Sequence, residues 1–297
     1  MISHDVRLQR AYYADTAHKY DCIHQHDRDE HGFGLAFMLA MMEFFEIDSV
    51  LDVGSGTGFA LLKIKEKMPT IRAFGVEPSP AQRNIGYGKG LSPTELIDGD
   101  ARTLEFADDS FDLVCEFGAL HHIRHPEQAI LEMIRVAKKA IFICDTNNFG
   151  QGGPFSRFLK QAINRFGLWP LADLIKTKGN GYSVSENDGI MYSYSVFTNF
   201  AQISRNCESV HLLSTSSAAP NLYRTASHVA LWGVVSPKSR TAEGGAGFVR
   251  PAAAANGGLT RPLGSDAVTE SKQYSVRLAC AGRGGERYSP HFKRDVE

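Results

Sequence analysis

Long hydrophobic runs are missing from this sequence. Its most apolar stretch, residues 32–45, holds about 14 residues and contains Glu43. A helix that spans a bilayer needs roughly 20 apolar residues, so we expect no transmembrane segment. The first ten residues, MISHDVRLQR, also lack the apolar region of a signal peptide. We therefore expect a cytoplasmic protein.

Cysteine and net charge are both scarce. The chain of 297 residues has 5 cysteines, and no two of them form a Cys-x-x-Cys pair, so neither a disulfide framework nor a zinc ribbon is indicated. The His and Asp residues between positions 15 and 31 follow no ligand spacing, so we expect a solvated polar stretch and no metal site. A formal net charge of −1 gives no electrostatic reason to expect nucleic acid.

What the sequence does contain is an ordinary globular composition, with 43% hydrophobic and 22% charged residues. Between residues 31 and 237, short apolar runs alternate with helical periodicity. The predicted strands are 49–54, 71–77, a segment within 94–100, 111–117, 140–146, 209–216 and 227–235. The predicted helices are 60–68, 80–88, 126–138, 158–175 (interrupted at Gly167 and Pro170) and 187–204. This alternation predicts an α/β fold, with a parallel sheet covered by helices on both faces.

The composition changes near Pro237. Residues 238–297 are rich in Gly and Ala, with ten Lys/Arg against six Asp/Glu. Such a segment buries too little apolar surface to offset its chain entropy, so we expect a disordered tail. A weak basic tether for an acidic surface is the alternative.

The sharpest local signal is LDVGSGTGFALL at residues 51–62. A strand ends at Val53, and Gly54, Gly56 and Gly58 lead into a helix. Glycines let a ligand approach the bare backbone, and the helix N-terminus favours a negative group. Phe59 stands where the dinucleotide fingerprint requires glycine, and no Gly-Lys-Ser/Thr follows. The loop therefore favours a nucleotide-like ligand of another kind.

Three acids lie in or directly after successive predicted strands. Asp52 lies in the first strand, Glu77 ends the second, and Asp100 follows the third. An acid at the end of the second strand can accept both ribose hydroxyls of an adenosine. Asp100 would receive an adenine amino group. Three acids on one side of a sheet would be costly if left without partners, so we expect them to surround a ligand that offers hydrogen-bond donors and a positive charge.

These residues resemble a known family. LDVGSGTG, GVEPS, GDARTLEF, FDLVCEFGALHHI and PEQAILEMIRVAK are similar to class I S-adenosylmethionine-dependent methyltransferases, in the small-molecule branch that carries a His-His pair after strand 4. The resemblance covers residues 31–235. It implies a Rossmann-like, doubly wound sheet of seven strands, with the last strand antiparallel. Many relatives have a Pro-Gly-Gly turn before strand 5, whereas here Lys138 and Lys139 would form that turn.

The resemblance also implies S-adenosylmethionine as cofactor and a set of residues that bind it. Glycines 54, 56 and 58 would flank the methionine part, and Asp52 would organise that loop and approach the amino group. Glu77 would hold the ribose, and Asp100 with the Ala101 backbone would read the adenine. The residues that would line the flank of the methyl donor are Glu116, Phe117 and Gly118.

The expected reaction is in-line transfer of a methyl group to a small-molecule acceptor, at a hydroxyl of a sugar or natural-product-like compound. Such a displacement mostly requires orientation. His121 and His122 follow strand 4 at the edge where ligands bind. Either is a candidate general base, and His121 is favoured. The alternative is that the pair is structural and hydrogen-bonds the loop.

Two further segments flank the expected core. Residues 1–30 resemble an aromatic-rich N-terminal flap. Tyr12, Tyr13 and Tyr20 would close over the cofactor with an aromatic face toward the sulfonium, or simply pack, and packing is favoured for Tyr12 and Tyr13. Residues 147–189 combine aromatic and basic side chains. They would form a lid over a hydrophobic or lipid-linked acceptor, a membrane-surface helix, or ordinary packing. We expect a lid that also packs.

Two other functions remain open on the sequence. A nicotinamide-dependent oxidoreductase would share the Gly-rich turn, but Phe59 and the segment after strand 4 disfavour it. A non-catalytic module that binds S-adenosylmethionine would share every motif above.

Overall fold

A mixed sheet of seven strands organises the molecule. The computed structural model describes residues 4–24, 29–185, 188–216 and 220–236. The strands are β1 (Ser49–Val53), β2 (Arg72–Val76), β3 (Leu96–Ile97), β4 (Phe111–Phe117), β5 (Ala137–Thr146), β6 (Ser183–Ser185), β7 (Gly189–Met191), β8 (Cys207–Ser214) and β9 (His228–Val235). The helices are α1 (His4–His24), α2 (Glu30–Phe44), α3 (Phe59–Lys67), α4 (Pro80–Gly88), α5 (Pro126–Val136), α6 (Pro154–Arg165), α7 (Trp169–Lys176), α8 (Phe200–Asn206) and α9 (Leu222–Thr225). Short 3₁₀ helices cover Leu120–His122, Asn148–Gly150 and Val196–Asn199.

The strand order is β3-β2-β1-β4-β5-β9-β8. The first five strands run parallel, and β9 is antiparallel to both β5 and β8. This confirms the predicted doubly wound sheet with its last strand antiparallel. The order reverses between β1 and β4, which places a crevice at the carboxyl ends of these strands.

Helices cover both faces of the sheet, which explains why its central strands are continuously apolar. On one face, Ile130 and Met133 of α5 pack against β4 and β5. On the other, Met38 of α2 and Ile64 of α3 belong to a second cluster around Trp232. Every residue of β1 is buried, including the polar Ser49 and Asp52. Asp52 is therefore held inside the fold.

Local sequence sets the helix starts near the crevice. The Ser79 side chain accepts a hydrogen bond from the Gln82 backbone N–H at 3.5 Å, and Pro80 begins α4 directly after it. Proline also begins α5, at Pro126. Helix α4 therefore has both a hydroxyl cap and a proline in its first turn, whereas α5 has the proline alone.

The helix predicted over 187–204 is wrong in its first half. The chain instead forms β7, an extended segment, a 3₁₀ helix and then α8 from Phe200. Gly189 has a φ of +71°, which a regular helix excludes. Ser195 is fully buried and donates to the Asn147 side chain at 2.9 Å, next to a backbone bridge between the same two residues. Tertiary pairing therefore overrides the helical pattern.

The turn expected at Lys138 and Lys139 is also absent. Helix α5 passes into β5 at Ala137, and both lysines lie within that strand. Lys139 lies 3.4 Å from the Asp112 carboxylate, so the strand start is fixed by an ion pair. The hairpin of β6 and β7 was not predicted, since its short strands show no alternation. Pro170 does not interrupt a helix, because it lies in the first turn of α7.

Two of the predicted domain boundaries can be compared with the described residues. The N-terminal segment contains α1, and 147–189 contains α6, α7, β6 and the start of β7. The tail predicted at 238–297 lies outside the described residues. Among the described helices, none is both long enough and apolar enough to cross a bilayer.

Gly75 of β2 allows the Gly-rich loop to lie against the sheet. A Cβ at this position would be 2.2 Å from Ser55 Oγ and 2.6 Å from Leu61 Cδ1. We expect Gly75→Ala to lower the free energy of unfolding by about 1–3 kcal/mol, because the loop or α3 must move. Urea unfolding measures this. Gly88→Ala is the matched control, since nothing lies within 4 Å of its added methyl group. Equal stability of the two variants would contradict the prediction.

Candidate functional site

A cavity open to solvent lies at the carboxyl ends of β1, β2 and β4, where the strand order reverses. It encloses about 1060 Å³, counted to its open mouth. Of the residues predicted for the site, it is lined by Gly54, Gly56, Glu77, Asp100, Ala101, Phe117, Gly118 and His122. The lining residues that the prediction did not place in the site include Gln9, Arg10, Ser79, Gln82, Arg102 and Tyr192, whereas Tyr13 was one of the tyrosines considered for the flap.

The loop after β1 is a tight turn that requires its glycines. Gly54, Gly56 and Gly58 have φ values of +75°, +55° and +77°, a region that side chains other than glycine rarely adopt. The backbone N–H groups of Gly54 and Ser55 both donate to the Val76 carbonyl, at 2.8 and 3.1 Å. A Cβ on Gly58 would be 2.2 Å from Leu91 Cδ1. Gly58 therefore packs behind the loop, whereas Gly54 and Gly56 face the cavity.

Glu77 links the end of β2 to that loop. Its two carboxylate oxygens accept hydrogen bonds from the Ser79 N–H at 2.7 Å and the Gly56 N–H at 3.0 Å. Burial raises the pKa of Glu77 to about 7, although these two bonds oppose the rise. A carboxylate so desolvated is stabilised by additional hydroxyl donors. It lines the cavity, so a bound ligand can supply them.

Asp52 does not line the cavity. It lies behind the loop, where its carboxylate accepts a weak hydrogen bond from Cys115 Sγ at 3.8 Å. Burial raises its pKa to about 7. The Ser55 hydroxyl donates to the Asp52 carbonyl at 2.8 Å. Asp52 thus supports the loop from the sheet, and its carboxylate is separated from the open space.

Asp100 is held by a residue that sequence reasoning missed. The Arg102 side chain donates to both Asp100 oxygens, from Nε at 3.0 Å and from Nη2 at 2.6 Å. The Arg102 backbone N–H donates at 2.9 Å. These bonds lower the pKa of Asp100, so it is ionised at neutral pH. Ala101 and Arg102 line the cavity beside it. The acid two residues before an arginine was the available signal.

Glu116 braces the opposite wall without reaching the cavity. It is fully buried, and its carboxylate accepts from the Ala119 N–H at 2.8 Å and the Cys144 N–H at 3.0 Å. Burial, together with the nearby Asp145 carboxylate, raises its pKa well above the ordinary value. The expectation that Glu116 lines the donor flank does not match this placement. Phe117 and Gly118 do line the cavity, on the loop that Glu116 holds.

His121 lies between two carboxylates. Its Nδ1 is 2.8 Å from Asp145 Oδ1, and its Nε2 is 3.2 Å from Asp188 Oδ2. Burial lowers the pKa of His121, but the two carboxylates outweigh that effect and raise it to about 10. The ring is therefore an imidazolium at neutral pH, with no lone pair to accept a proton. It does not line the cavity, so the structure disfavours the general-base role predicted for His121.

His122 has the opposite placement. It lines the cavity, and its Nδ1 lies 2.6 Å from the Ile190 carbonyl. A carbonyl only accepts, so Nδ1 carries the proton. Its Nε2 lies 3.4 Å from Asp188 Oδ1, and the Tyr13 ring packs edge-on at 6.3 Å between centroids. Of the two histidines, His122 is the one that can meet an acceptor.

One atom each of His121, His122 and Asp188 lie within 4.8 Å of one another, a spacing that could hold a metal ion. Hydrogen bonds already account for the arrangement. The His121 imidazolium bridges Asp145 and Asp188, so its charge is balanced without a metal. The expected absence of a metal stays a prediction.

The N-terminal helix contributes differently from the expectation. The side chain of Tyr20 lies outside the described part of the chain. Tyr13, Gln9 and Arg10 of α1 line the cavity instead. Gln9 Oε1 accepts from the Ile190 N–H at 2.6 Å, so α1 is attached to β7. Tyr13 lay within the aromatic segment that the sequence singled out. Gln9 and Arg10 carried no such signal, because helix α1 shows no clear apolar face.

Comparisons with known proteins point to one family. Residues 51–144 match the model of the methyltransferase domain family. The chain is 36% identical over 94 residues to ajmaline N-methyltransferase of Rauvolfia serpentina, covering 30% of this chain and 32% of the relative. It is 32% identical over 120 residues to phosphatidylethanolamine N-methyltransferase of Cereibacter sphaeroides, covering 39% of this chain and 59% of the relative. These matches thus span about one third to three fifths of the relatives' length.

Solved structures include a similar S-adenosylmethionine-dependent methyltransferase from Thermotoga maritima. It is 16% identical, with a TM-score of 0.48, and the match covers 76% of this chain and 99% of that one.

The matched residues 51–144 run from β1 to β5 and include the Gly-rich loop, Glu77 and the His-His pair. Over these residues the chain is similar to the methyltransferase domain family, and the cofactor that this similarity indicates is S-adenosylmethionine. The residues present fit this cofactor. The loop at Gly54 and Gly56 opens its backbone to the cavity, and Glu77 offers a desolvated carboxylate to hydroxyl donors.

The His121 ion pairs should make stability depend on pH. A histidine whose pKa rises from 6.5 to about 10 on folding contributes stability that is fully present below pH 6.5 and is lost as pH rises through 10. We expect His121→Gln to lower the free energy of unfolding by a few kcal/mol at pH 6, since each pKa unit corresponds to about 1.4 kcal/mol. The deficit should shrink toward pH 10.

Urea unfolding across this pH range measures the deficit. His125→Gln is the matched control, because His125 is 60% exposed beside Glu127. If the loss of unfolding free energy in His121→Gln stayed constant with pH, the ion pairs would not raise the pKa of His121.

Proposed function

We propose that this protein transfers a methyl group from S-adenosylmethionine to a hydroxyl of a small-molecule acceptor, a sugar or natural-product-like compound. The observation that carries the proposal is the cavity, which is lined by both the Gly-rich loop and His122. The names of the relatives support a small-molecule acceptor, since they include ajmaline N-methyltransferase and 2-methyl-6-phytyl-1,4-hydroquinone methyltransferase 1.

The donor would be held by the residues at the carboxyl ends of β1 and β2. Gly54 and Gly56 leave room for close approach, and the Glu77 carboxylate accepts from the ribose hydroxyls. Asp100, fixed by Arg102, and the Ala101 backbone would read the adenine. Asp52 and Glu116 act through the loops that they hold, so we assign them as positioning residues. When bound, S-adenosylmethionine supplies a methyl group activated by its sulfonium.

Acceptor activation falls to His122. Its Nδ1 donates to the Ile190 carbonyl, so Nε2 would be the nitrogen that exchanges a proton with the acceptor. That nitrogen would take the proton of the acceptor hydroxyl as the oxygen attacks. Asp188 Oδ1, 3.4 Å from Nε2, would stabilise the resulting imidazolium. The proton then passes to solvent through the open mouth. His121 would serve to hold Asp188 in position.

Water exclusion completes the proposed site. Tyr13 and Gln9 of α1 and Tyr192 after β7 border the cavity, so the N-terminal segment would cover the donor. Burial strengthens the interaction of each fixed charge with the reacting groups. We therefore retain residues 1–30 as a flap, and residues 147–189 as the segment beside the acceptor end.

Glu77→Ala should weaken donor binding by roughly 1–3 kcal/mol, about 5- to 150-fold in Kd, because the ribose hydroxyls lose their acceptor. Calorimetric titration with S-adenosylmethionine measures this. Glu66→Ala is the matched control, since Glu66 is 58% exposed on α3. Unchanged affinity in Glu77→Ala would remove Glu77 from the donor site. Binding of NAD in place of S-adenosylmethionine would favour the oxidoreductase.

His122→Gln should lower kcat by about 10²- to 10⁴-fold and leave donor binding in place, because it removes the general base. Formation of S-adenosylhomocysteine with a panel of hydroxylated compounds measures turnover, and His125→Gln is the control. Full activity of His122→Gln would exclude it as the base. Loss of wild-type activity with a chelator would indicate a metal at His121, His122 and Asp188 instead. No turnover with any acceptor would favour a non-catalytic module.

A further inference from the structure

Helices α6 and α7 expose their apolar side chains. Among the described residues, nine of the thirteen exposed large hydrophobic side chains lie between positions 155 and 184. We name the α6–α7 apolar face by the six residues that define it, which are Phe155, Phe158, Phe166, Leu171, Leu174 and Ile175. Phe155 and Phe166 are each 78% exposed, and Ile175 is 71% exposed. Neither helix has a buried residue.

The polar side of α6 is the side attached to the protein. Lys160 Nζ donates to the Asn148 carbonyl. Gln161 Nε2 donates to the Phe149 carbonyl at 2.9 Å, and Asn164 Nδ2 donates to the Tyr223 hydroxyl at 3.0 Å. A surface helix ordinarily turns its apolar stripe inward. The orientation of α6 is therefore inverted relative to that pattern.

Helix α7 follows the same arrangement. Its polar contacts with the protein come from Asp173, which accepts from the Ser193 hydroxyl, and from Lys176, whose Nζ lies 3.2 Å from the same oxygen. Leu171, Leu174 and Ile175 share the spacing of one helix face and are exposed. A cluster of exposed apolar side chains of this kind is typical of an interaction surface.

The charge around this face is positive. Residues 154–178 contain five basic side chains and one acidic side chain, a net charge of +4 in a chain whose formal net charge is −1. The basic residues are Arg157, Lys160, Arg165, Lys176 and Lys178. Exposed aromatic and aliphatic residues with interleaved cations are typical of helices that lie in the interface of an anionic bilayer.

The face also adjoins the cavity. The segment after α7 carries Asn180, whose carbonyl accepts from Arg124 at 3.4 Å, and Tyr182, whose ring packs against Tyr192 at 6.3 Å between centroids. Arg124 and Tyr192 both line the cavity. A surface that docks through α6 and α7 would therefore lie near the cavity mouth.

We propose that the α6–α7 apolar face, together with Arg157, Arg165 and Lys178, docks on the surface of an anionic lipid bilayer. The apolar side chains enter the headgroup boundary, and these three cations contact lipid phosphates, whereas Lys160 and Lys176 attach the helices to the protein. This binding does not depend on the methyl-transfer activity proposed above, and it requires no membrane-spanning helix.

Vesicle co-sedimentation of the full chain tests the proposal. The wild type should bind vesicles of 70% phosphatidylcholine and 30% phosphatidylglycerol more tightly than vesicles of phosphatidylcholine alone, and 0.5 M salt should weaken that preference. Phe155→Ser combined with Phe166→Ser should lower binding at least tenfold. Because both side chains are exposed, the thermal unfolding temperature should not change.

The matched control combines Phe33→Ser with Phe44→Ser on α2, which are 54% and 78% exposed. It should bind as the wild type does. An equal loss in the control would show that exposed phenylalanine alone drives binding and would overturn the assignment to α6 and α7. Wild type that stays in the supernatant would overturn the proposal. So would a dimer that dissociates on Phe155→Ser with Phe166→Ser without any vesicle binding, since the face would then contact a second copy.

Discussion

The site depends on buried carboxylates that accept backbone hydrogen bonds at the ends of parallel strands. Glu77 holds the Gly-rich loop and the start of α4 through Gly56 and Ser79. Glu116 does the same for the loop after β4 through Ala119 and Cys144. Desolvation disfavours the charged form of both carboxylates. In return, their hydrogen bonds hold the loops that form the cavity in one geometry.

The same principle gives the two adjacent histidines different chemistry. His121 is enclosed by Asp145 and Asp188 and keeps its proton, whereas His122 donates from Nδ1 to the Ile190 carbonyl and lines the cavity. Their sequence positions differ by one residue, and their ring centroids are 4.0 Å apart. Environment, and not residue type, separates a structural cation from a candidate base.

The sheet could be predicted from the sequence because each of its strands is a short apolar run bounded by turns or helix starts. The strand β4 and the helix α4 have the bounds that the pattern indicated. The Gly-rich loop and Glu77 were also predictable, since their chemistry depends on neighbours in sequence. The resemblance to class I methyltransferases added the number of strands, the antiparallel last strand and the cofactor, which periodicity alone does not give.

The predictions that the structure corrects depend on contacts between residues that are distant in the chain. The extended segment before α8 is set by Ser195 against Asn147, and no local pattern encodes that pairing. The roles expected of His121 and Glu116 changed for the same reason, because Asp145, Asp188 and Cys144 surround them from other elements. Gln9 and Arg10 lie some forty residues before the matched domain, and they reach the cavity from helix α1.

The Ile190 peptide connects the N-terminal helix α1 to His122. Its N–H is held by Gln9 of α1, and its carbonyl fixes the tautomer of His122. Displacing the N-terminal helix would therefore release the strand that selects which ring nitrogen is basic. Closure of α1 over the donor and selection of the basic nitrogen of His122 would then occur together. A protein whose α1 is displaced from the cavity would therefore also lack the general base.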